Sequence, residues 1–473
     1  MEKALIWFRQ DLRIEDNPAW ARAVKQGRAI IPVFIWSPEE SKDWSPGAAS
    51  RWWLHHALED LKRQLEETGH KLILRAGDSL QVLEVLLAET GANALYWNRC
   101  YEPDRMRADG IIKSRLKDQG VEVWSGNSSL LREPWTVTTG TGNPYRVYTP
   151  YAKSCLRTKD PDPVESQLPD TVLEDWPGSL DLEELSLLPA HQWAEGLAAE
   201  WDATRKGGLG RLRRFIRDDL EGYTESRDYP ATPGVSKLAP YLQWGQIGIR
   251  EVVFELNKAA PSEGKNTYYR ELIWREFAHH ILYHFPDTPE KPLQLKFEQF
   301  PWIEEPGTLA AWKEGRTGYP MVDAGMRELW QTGWMHNRSR MVVASFLVKH
   351  LLQSWEKGAA WFWDTLVDAS LSSNTLGWQW AGGCGADAAP YFRVFNPSLQ
   401  ASKFDPEGVY IRKFIPELKK VPIKYLHTPW EMPEAVQIAA GCQIGKDYPS
   451  PVVEHREARN RALEAFSSIK GGN

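Results

Sequence analysis

Four short apolar runs constrain the fold of this chain most: Ala4-Leu-Ile-Trp-Phe8, Ala29-Ile-Ile-Pro-Val-Phe-Ile-Trp36, Leu72-Ile-Leu-Arg75 and Ala94-Leu-Tyr-Trp97. None alternates apolar with polar residues, so each needs cover on both faces, as strands of a parallel sheet do. Between them, Ser50-Arg-Trp-Trp-Leu-His-His-Ala-Leu-Glu-Asp-Leu and Ser79-Leu-Gln-Val-Leu-Glu-Val-Leu-Leu have helical spacing. Alternation of this kind reads as an α/β domain with a doubly wound parallel sheet. No Gly-rich phosphate fingerprint follows the first run, where Arg9-Gln-Asp-Leu-Arg13 stands instead, so dinucleotide binding there is weakly supported. The glycine cluster Gly207-Gly-Leu-Gly210 follows no strand and reads as a turn opening a basic helix.

Beyond Glu195 the periodicity is helical almost throughout, as in Leu209 to Gly222, Tyr268 to Tyr283, Pro320 to Thr332 and Arg340 to Trp355. Asp160 to Ala190 is rich in Pro, Asp and Glu without a period and reads as an acidic surface linker. The 473 residues therefore divide into an α/β domain over 1–127, an interdomain linker over 128–198 and an all-helical domain over 199–473. Net charge is −6, but the acidic segment holds nine acids and no Lys or Arg; removing its −9 leaves +3, which keeps a nucleic-acid partner open.

Cys100, Cys155, Cys384 and Cys442 form no CxxC pair, so neither a zinc site nor a disulfide framework is indicated. The N-terminus lacks the apolar run of a signal peptide, and no stretch approaches the ~18 apolar residues of a membrane span. A cytoplasmic protein with reduced thiols, no metal and no membrane partner is the expectation.

Tryptophan is abundant, at 24 residues. Redox-capable indoles, amides and guanidinium groups converge in Trp334-Met-His-Asn-Arg-Ser-Arg-Met341, Asn374, Trp378-Gln-Trp380 and Asp387-Ala-Ala-Pro-Tyr-Phe-Arg-Val-Phe-Asn396. With no metal or nucleophile spacing among them, this composition points to electron transfer through a bound aromatic cofactor.

Together with Trp7-Phe-Arg-Gln-Asp-Leu-Arg13, Glu271-Leu-Ile-Trp-Arg-Glu-Phe277 and Gly318-Tyr-Pro-Met-Val-Asp-Ala-Gly-Met326, these motifs resemble the photolyase and cryptochrome flavoproteins over essentially the whole chain. The resemblance implies an FAD held in the helical domain. It places Tyr223, Val235, Ser236, Lys237, Leu238 and Ala239 on the phosphate and adenine side. Arg275, Asn337, Arg340, Asp368, Ser370 and Asn374 fall around the ribityl chain and flavin ring. A reduced flavin anion needs fixed positive charge, which Arg340 supplies when oriented by Asp368. Asn374 matches the position facing flavin N5, where plant cryptochromes carry Asp. Val235, Ala239 and Ser370 depart from the family pattern, two by losing hydroxyls and the third by replacing an Asp.

For members that repair cyclobutane pyrimidine dimers, the matching substrate residues are Glu271, Trp274, Asn337, Arg338, Met341 and Trp380. Indoles suit stacking on a splayed dimer, Glu271 can hydrogen-bond the thymine imide edge, and Met341 fills an irregular apolar gap. Arg227, Arg338, Arg393 and Lys403 match phosphate contacts, and Trp378, Trp355 and Trp302 match an electron path whose last member is exposed. The implied activity is a deoxyribodipyrimidine photolyase of the plant-cryptochrome-like bacterial class, a monomer acting on damaged DNA by light-driven electron transfer from reduced FAD to a flipped-out dimer. The alternative is a blue-light cryptochrome that signals and repairs nothing. Most relatives carry an antenna, and methenyltetrahydrofolate is favoured here although Arg105 stands where folate-binding relatives have Glu.

Overall fold

The computed structural model describes residues 2–169, 171–189 and 192–469, so Asp170 and Ala190 of the acidic segment lie outside the described residues. Contacts divide the chain into two compact units. The first holds Met1–Glu221, Ser236–Pro286 and Val367–Ser372, and the second holds Gly222–Val235, Asp287–Leu366 and Ser373–Asn473. The boundaries at 127 and 198 follow composition, whereas these units follow contacts.

In the first unit, β1 (Lys3–Phe8), β2 (Ala29–Trp36), β3 (Ile73–Ala76), β4 (Ala94–Asn98) and β5 (Glu122–Gly126) form one sheet in the order β3-β2-β1-β4-β5. All pairings are parallel, with Leu5 beside Ile31 and Leu95. Helices α1 (Pro18–Lys25), α2 (Ala48–Glu67), α3 (Ser79–Thr90) and α4 (Pro103–Asp118) are the crossovers. Leu5, Trp7, Ile31, Val33, Leu95 and Trp97 are core, which is why the strand runs read as continuously apolar. The fifth strand, Glu-Val-Trp-Ser-Gly, is half-buried at the sheet edge and lacks the apolar run that marked the others.

The turn after β1 is filled by its own side chains. Arg9 pairs with Asp109 at 2.6 Å, and Arg13 donates to the Gly245 carbonyl at 2.7 Å and Ser128 Oγ at 2.8 Å. Arginines here do the fixing that a phosphate-binding fold leaves to glycines and ligand.

The acidic surface segment is held down as a strap: Asp160 pairs with Arg132 at 2.8 Å, the Val164 N–H donates to Asp16, and Leu180 N–H donates to the Leu74 carbonyl. One sequence expectation changes here. The Gly207–Gly210 cluster lies inside the helix Arg205–Arg214 and is not a turn. Gly208 is needed for close packing, since a Cβ there would come within 2.6 Å of Ile247 and Tyr241. Arg205 is buried, bound to Glu251 and Glu15.

In the second unit, helix Pro320–Thr332 has the span its periodicity gives. Asp323 within it is buried and accepts from Thr317, the Gly318 N–H and the Tyr448 hydroxyl. Gly318 adopts φ +81, and a Cβ there would meet Ser450 and Pro451 at 2.5 Å, so the Gly-Tyr-Pro-Met-Val-Asp motif serves a tight backbone approach. The run Arg340 to Trp355 is not one helix. Helix Asn337–Ser345 passes into a turn of π-helix at Phe346–His350, and Leu352 at φ +50 breaks the chain before Trp355 opens helix Trp355–Thr365, capped by Ser354.

Candidate functional site

In the first unit, helix Glu263–His284, capped by Ser262, carries Tyr268, Glu271, Trp274 and Arg275. Spacings of three and four put neighbours of this set on one face. Trp274 stacks on Tyr148 with ring centroids 3.7 Å apart, and the Tyr148 hydroxyl donates to the Arg270 carbonyl at 2.8 Å. Arg275 donates to the Ser129 carbonyl at 2.7 Å, and its burial pushes the guanidinium down from its ordinary value. Its neighbour Glu276 accepts from the Leu131 and Arg132 N–H groups at 3.0 Å, and burial pushes its carboxyl up to about 7.

The expected phosphate loop is anchored to the same helix, for the Tyr268 hydroxyl donates to Ser236 Oγ at 3.1 Å. Lys237 sits at φ +51 and its amine binds Glu200 at 2.6 Å. Among the described residues, the main-chain N–H groups of Ser236 and Leu238 have no protein acceptor. A positive-φ turn with open N–H groups is an anion-binding nest, so the loop fits a pyrophosphate despite Val235 and Ala239.

Ser370 and Asp368 are half-buried in the first unit. Ser370 Oγ lies 3.1 Å from Ser372 Oγ, which lies 3.3 Å from His279 Nε2. His279 Nδ1 lies 2.9 Å from the Arg275 carbonyl; with that nitrogen protonated, Nε2 is the acceptor for Ser372. Burial, with Arg275 nearby, pushes His279 down to about 3, so the chain of hydroxyls and imidazole is neutral at pH 7. Ser372, His279 and Tyr148 escape sequence reasoning, because each is brought in by a fold contact and carries no motif signal.

In the second unit, Asn374 Nδ2 donates to the Ala359 carbonyl at 3.0 Å, which orients the amide. Trp378 is buried against Phe362 and Trp312, centroids 5.0 and 6.0 Å away. Trp355 is also buried, and Trp302 is half-buried against Phe300 at 4.3 Å, so it is less exposed than an electron terminus was expected to be. Arg340 Nε donates to the Met335 carbonyl at 2.8 Å. Arg338 pairs with Asp228 at 2.7 Å and lies over the Phe404 ring, Asn337 is exposed, and Met341 is half-buried. Tyr223 is buried under Arg227, whereas Arg393 and Lys403 are exposed. Half-buried Trp380 lines a cavity of about 260 Å³.

In the first unit the anion nest, Arg275 and the Ser370–Ser372 hydroxyls, with no metal cluster among the described residues, fit an FAD. Fold and site thus define a flavoprotein with an α/β sheet unit. Residues 4–170 match the DNA photolyase family model, and residues 268–468 match that of the FAD binding domain of DNA photolyase. The chain belongs to the DNA photolyase and cryptochrome family. It is 44% identical to the deoxyribodipyrimidine photo-lyase of Agrobacterium fabrum over 471 residues, 98% of each chain. It is 38% identical to Arabidopsis thaliana cryptochrome-1, covering 98% of this chain and 70% of that one. The crystal structure of a bacterial class III photolyase from Agrobacterium tumefaciens superposes with a TM-score of 0.96, covering 100% of this chain and 98% of that one at 44% identity.

Proposed function

We propose that this protein is a light-driven DNA lyase that repairs cyclobutane pyrimidine dimers. The observation that carries it is helix Glu263–His284, which presents Glu271 and Trp274 one turn apart with the indole held flat by Tyr148. When bound, reduced FAD would supply the photoexcited one-electron donor, and cleavage of the two ring bonds would be redox neutral overall. Ser236, Lys237 and the loop N–H groups hold its pyrophosphate, and Arg275, Arg340 and Asp368 its ribityl and ring side. Asn374 hydrogen-bonds the ring without adding charge. Trp274 and Trp380 offer flat faces to a flipped dimer, and extrusion of the lesion is the general solution for enzymes working on bases. Glu271 and Asn337 hydrogen-bond the pyrimidine edges, and Met341 fills the gap beside them. Arg227, Arg338, Arg393 and Lys403 hold phosphates, an electrostatic and sequence-independent task. Trp378, Trp355 and Trp302 would offer a path of indoles for electrons from an external reductant.

A second chromophore, methenyltetrahydrofolate in preference, belongs to the same reading, as do a monomeric, cytoplasmic state and no membrane partner. Among the described residues, no helix is long and apolar enough to cross a membrane. A cleft at the carboxyl ends of the strands, lined by Trp7, Trp36, Ser79 and Arg105, encloses about 30 Å³. That is the usual ligand position of such sheets, but it holds a water or two and must open to take a folate.

Reduced protein is illuminated with near-UV or blue light on a thymine-dimer oligonucleotide. Restored thymines bear the proposal out, whereas an unchanged dimer favours the signalling cryptochrome.

A further inference from the structure

The 260 Å³ cavity beside Trp380 is also lined by Ser345, Lys349, Asp387, Arg393 and Phe395, all in the second unit. Ser345 Oγ is buried without a hydrogen-bond partner among the described residues. Lys349 is 2% exposed, and its amine donates to the Arg393 carbonyl at 3.0 Å, which uses one of its three N–H groups. Burial alone pushes that amine down to about 8, with no acid to offset it. Both residues sit where helix Asn337–Ser345 turns into the π-helical Phe346–His350, a local distortion frequent at functional sites.

A buried hydroxyl without a partner and a buried amine without a counter-ion each cost free energy. A ligand with anionic acceptor oxygens satisfies both. Exposed Arg393 adds a second cation, while Asp387 is exposed at the rim, where water screens its opposing charge. Trp380 supplies a flat aromatic wall. The volume lies just below that of drug-sized pockets, room for one phosphate with its sugar.

We propose that this cavity binds one backbone phosphate of the DNA strand, with Lys349 Nζ, Ser345 Oγ and Arg393 as donors and the attached nucleotide against Trp380. The assignment rests on the DNA-repair reading above. A free phosphate carries the same chemistry, so the test separates the two sources.

Affinity of wild type, Lys349→Met, Lys349→Arg and Ser345→Ala for a dimer-containing oligonucleotide is measured by anisotropy across a salt series. It is repeated with oligonucleotides in which one phosphate at a time is a neutral methylphosphonate. One methylphosphonate near the dimer is expected to weaken wild type markedly more than it weakens Lys349→Met, in which only Ser345 and Arg393 still meet that phosphate. The salt slope of Lys349→Met should be shallower by about 0.7 to 0.9, the equivalent of one phosphate, and Lys349→Arg should restore it. Should Lys349→Met unfold, Ser345→Ala carries the comparison: the methylphosphonate that weakens wild type should cost it less, because one donor to that phosphate is gone while Lys349 and Arg393 remain. An unchanged slope, with every methylphosphonate costing variant and wild type alike, overturns the proposal and leaves Lys349 as a brace for the Arg393 loop. Saturable binding of inorganic phosphate without any methylphosphonate effect assigns the cavity to a free anion and also overturns it. A wild type that repairs no dimer yet keeps the methylphosphonate effect refutes the repair reading and leaves the phosphate site standing.

Discussion

Trp274 and Tyr148 lie face to face, their ring centroids 3.7 Å apart and their planes 4° from parallel. The Tyr148 hydroxyl is pinned to the Arg270 carbonyl on the helix that carries Trp274. One face of the indole is thus occupied by the protein itself, which fixes the ring before substrate arrives and lowers the entropy lost on binding. Tyr148→Ala should weaken binding of a dimer-containing oligonucleotide by about 1 kcal/mol, roughly fivefold, and leave undamaged DNA unaffected. Tyr148→Phe keeps the stack and should stay near wild type. Anisotropy titrations with both oligonucleotides check this.

Asn374→Asp replaces an amide donor facing the Ala359 carbonyl with a carboxylate. Two acceptors then oppose one another, at a cost of about 1 to 3 kcal/mol in denaturant unfolding at pH 7. The added charge also works against an anionic reduced flavin, so repair should fall at least about tenfold, an effect of roughly 1.4 kcal/mol on the barrier. A repair rate equal to wild type removes the role proposed for Asn374.

What was legible in the sequence tracks how local each determinant is. Strand runs such as Ala29 to Trp36 declare burial residue by residue, and the Pro320–Thr332 helix declares its period. The motif Glu271 to Phe277 is legible as a unit because it lies within one helix, Glu263–His284. The break before Trp355 was not, since a π turn and a positive φ at Leu352 leave the apolar pattern intact. Tyr148 reaches Trp274, and Ser372 reaches His279, through contacts distant in sequence. The strap over the sheet was hidden for the same reason: its acids advertise solvent, while Asp160 spends its charge on Arg132.

Ser370 joins Ser372 and His279 in a neutral hydrogen-bonded chain. Ser370→Asp places a charge at its head, and on the proposed reading that charge sits beside the flavin ring. The midpoint potential of bound flavin should drop, because the anionic reduced form loses stability, and the nearby carboxylate should raise His279 from about 3. Ser370→Ala adds no charge and should hold the potential close to wild type. Spectroelectrochemical titration reads both, and a potential unmoved in Ser370→Asp places Ser370 away from the ring.

Gly358 touches Trp378: a Cβ at this glycine would lie 2.1 Å from the indole Cη2. Gly358→Ala must displace the ring, which is walled by Phe362 and Trp312. Overpacking of this kind costs about 1 to 3 kcal/mol. Light-driven reduction of the oxidised flavin by an external reductant should slow, while repair by chemically reduced protein is retained. Equal slowing of both would mean general misfolding and not a disturbed electron path.

Glu276 binds the Leu131 and Arg132 N–H groups with one oxygen, while burial pushes its carboxyl up to about 7 from an ordinary 4.5. The folded state therefore holds a proton that the unfolded state has released across that interval. Stability from this group is fully present below about pH 4.5 and is lost as pH rises through about 7, the reverse of an ordinary ion-paired acid. Arg275, 3.7 Å away, opposes the shift but does not cancel it. The shift corresponds to about 3 kcal/mol. Glu276→Gln keeps a carbonyl acceptor for the two N–H groups and cannot ionise. Its melting temperature relative to wild type should rise steadily from pH 5 to pH 8 and level off above that, by calorimetry at matched ionic strength. A difference that is flat in pH would show that Glu276 stays ionised in the folded protein throughout, with Arg275 and the two N–H groups outweighing its burial.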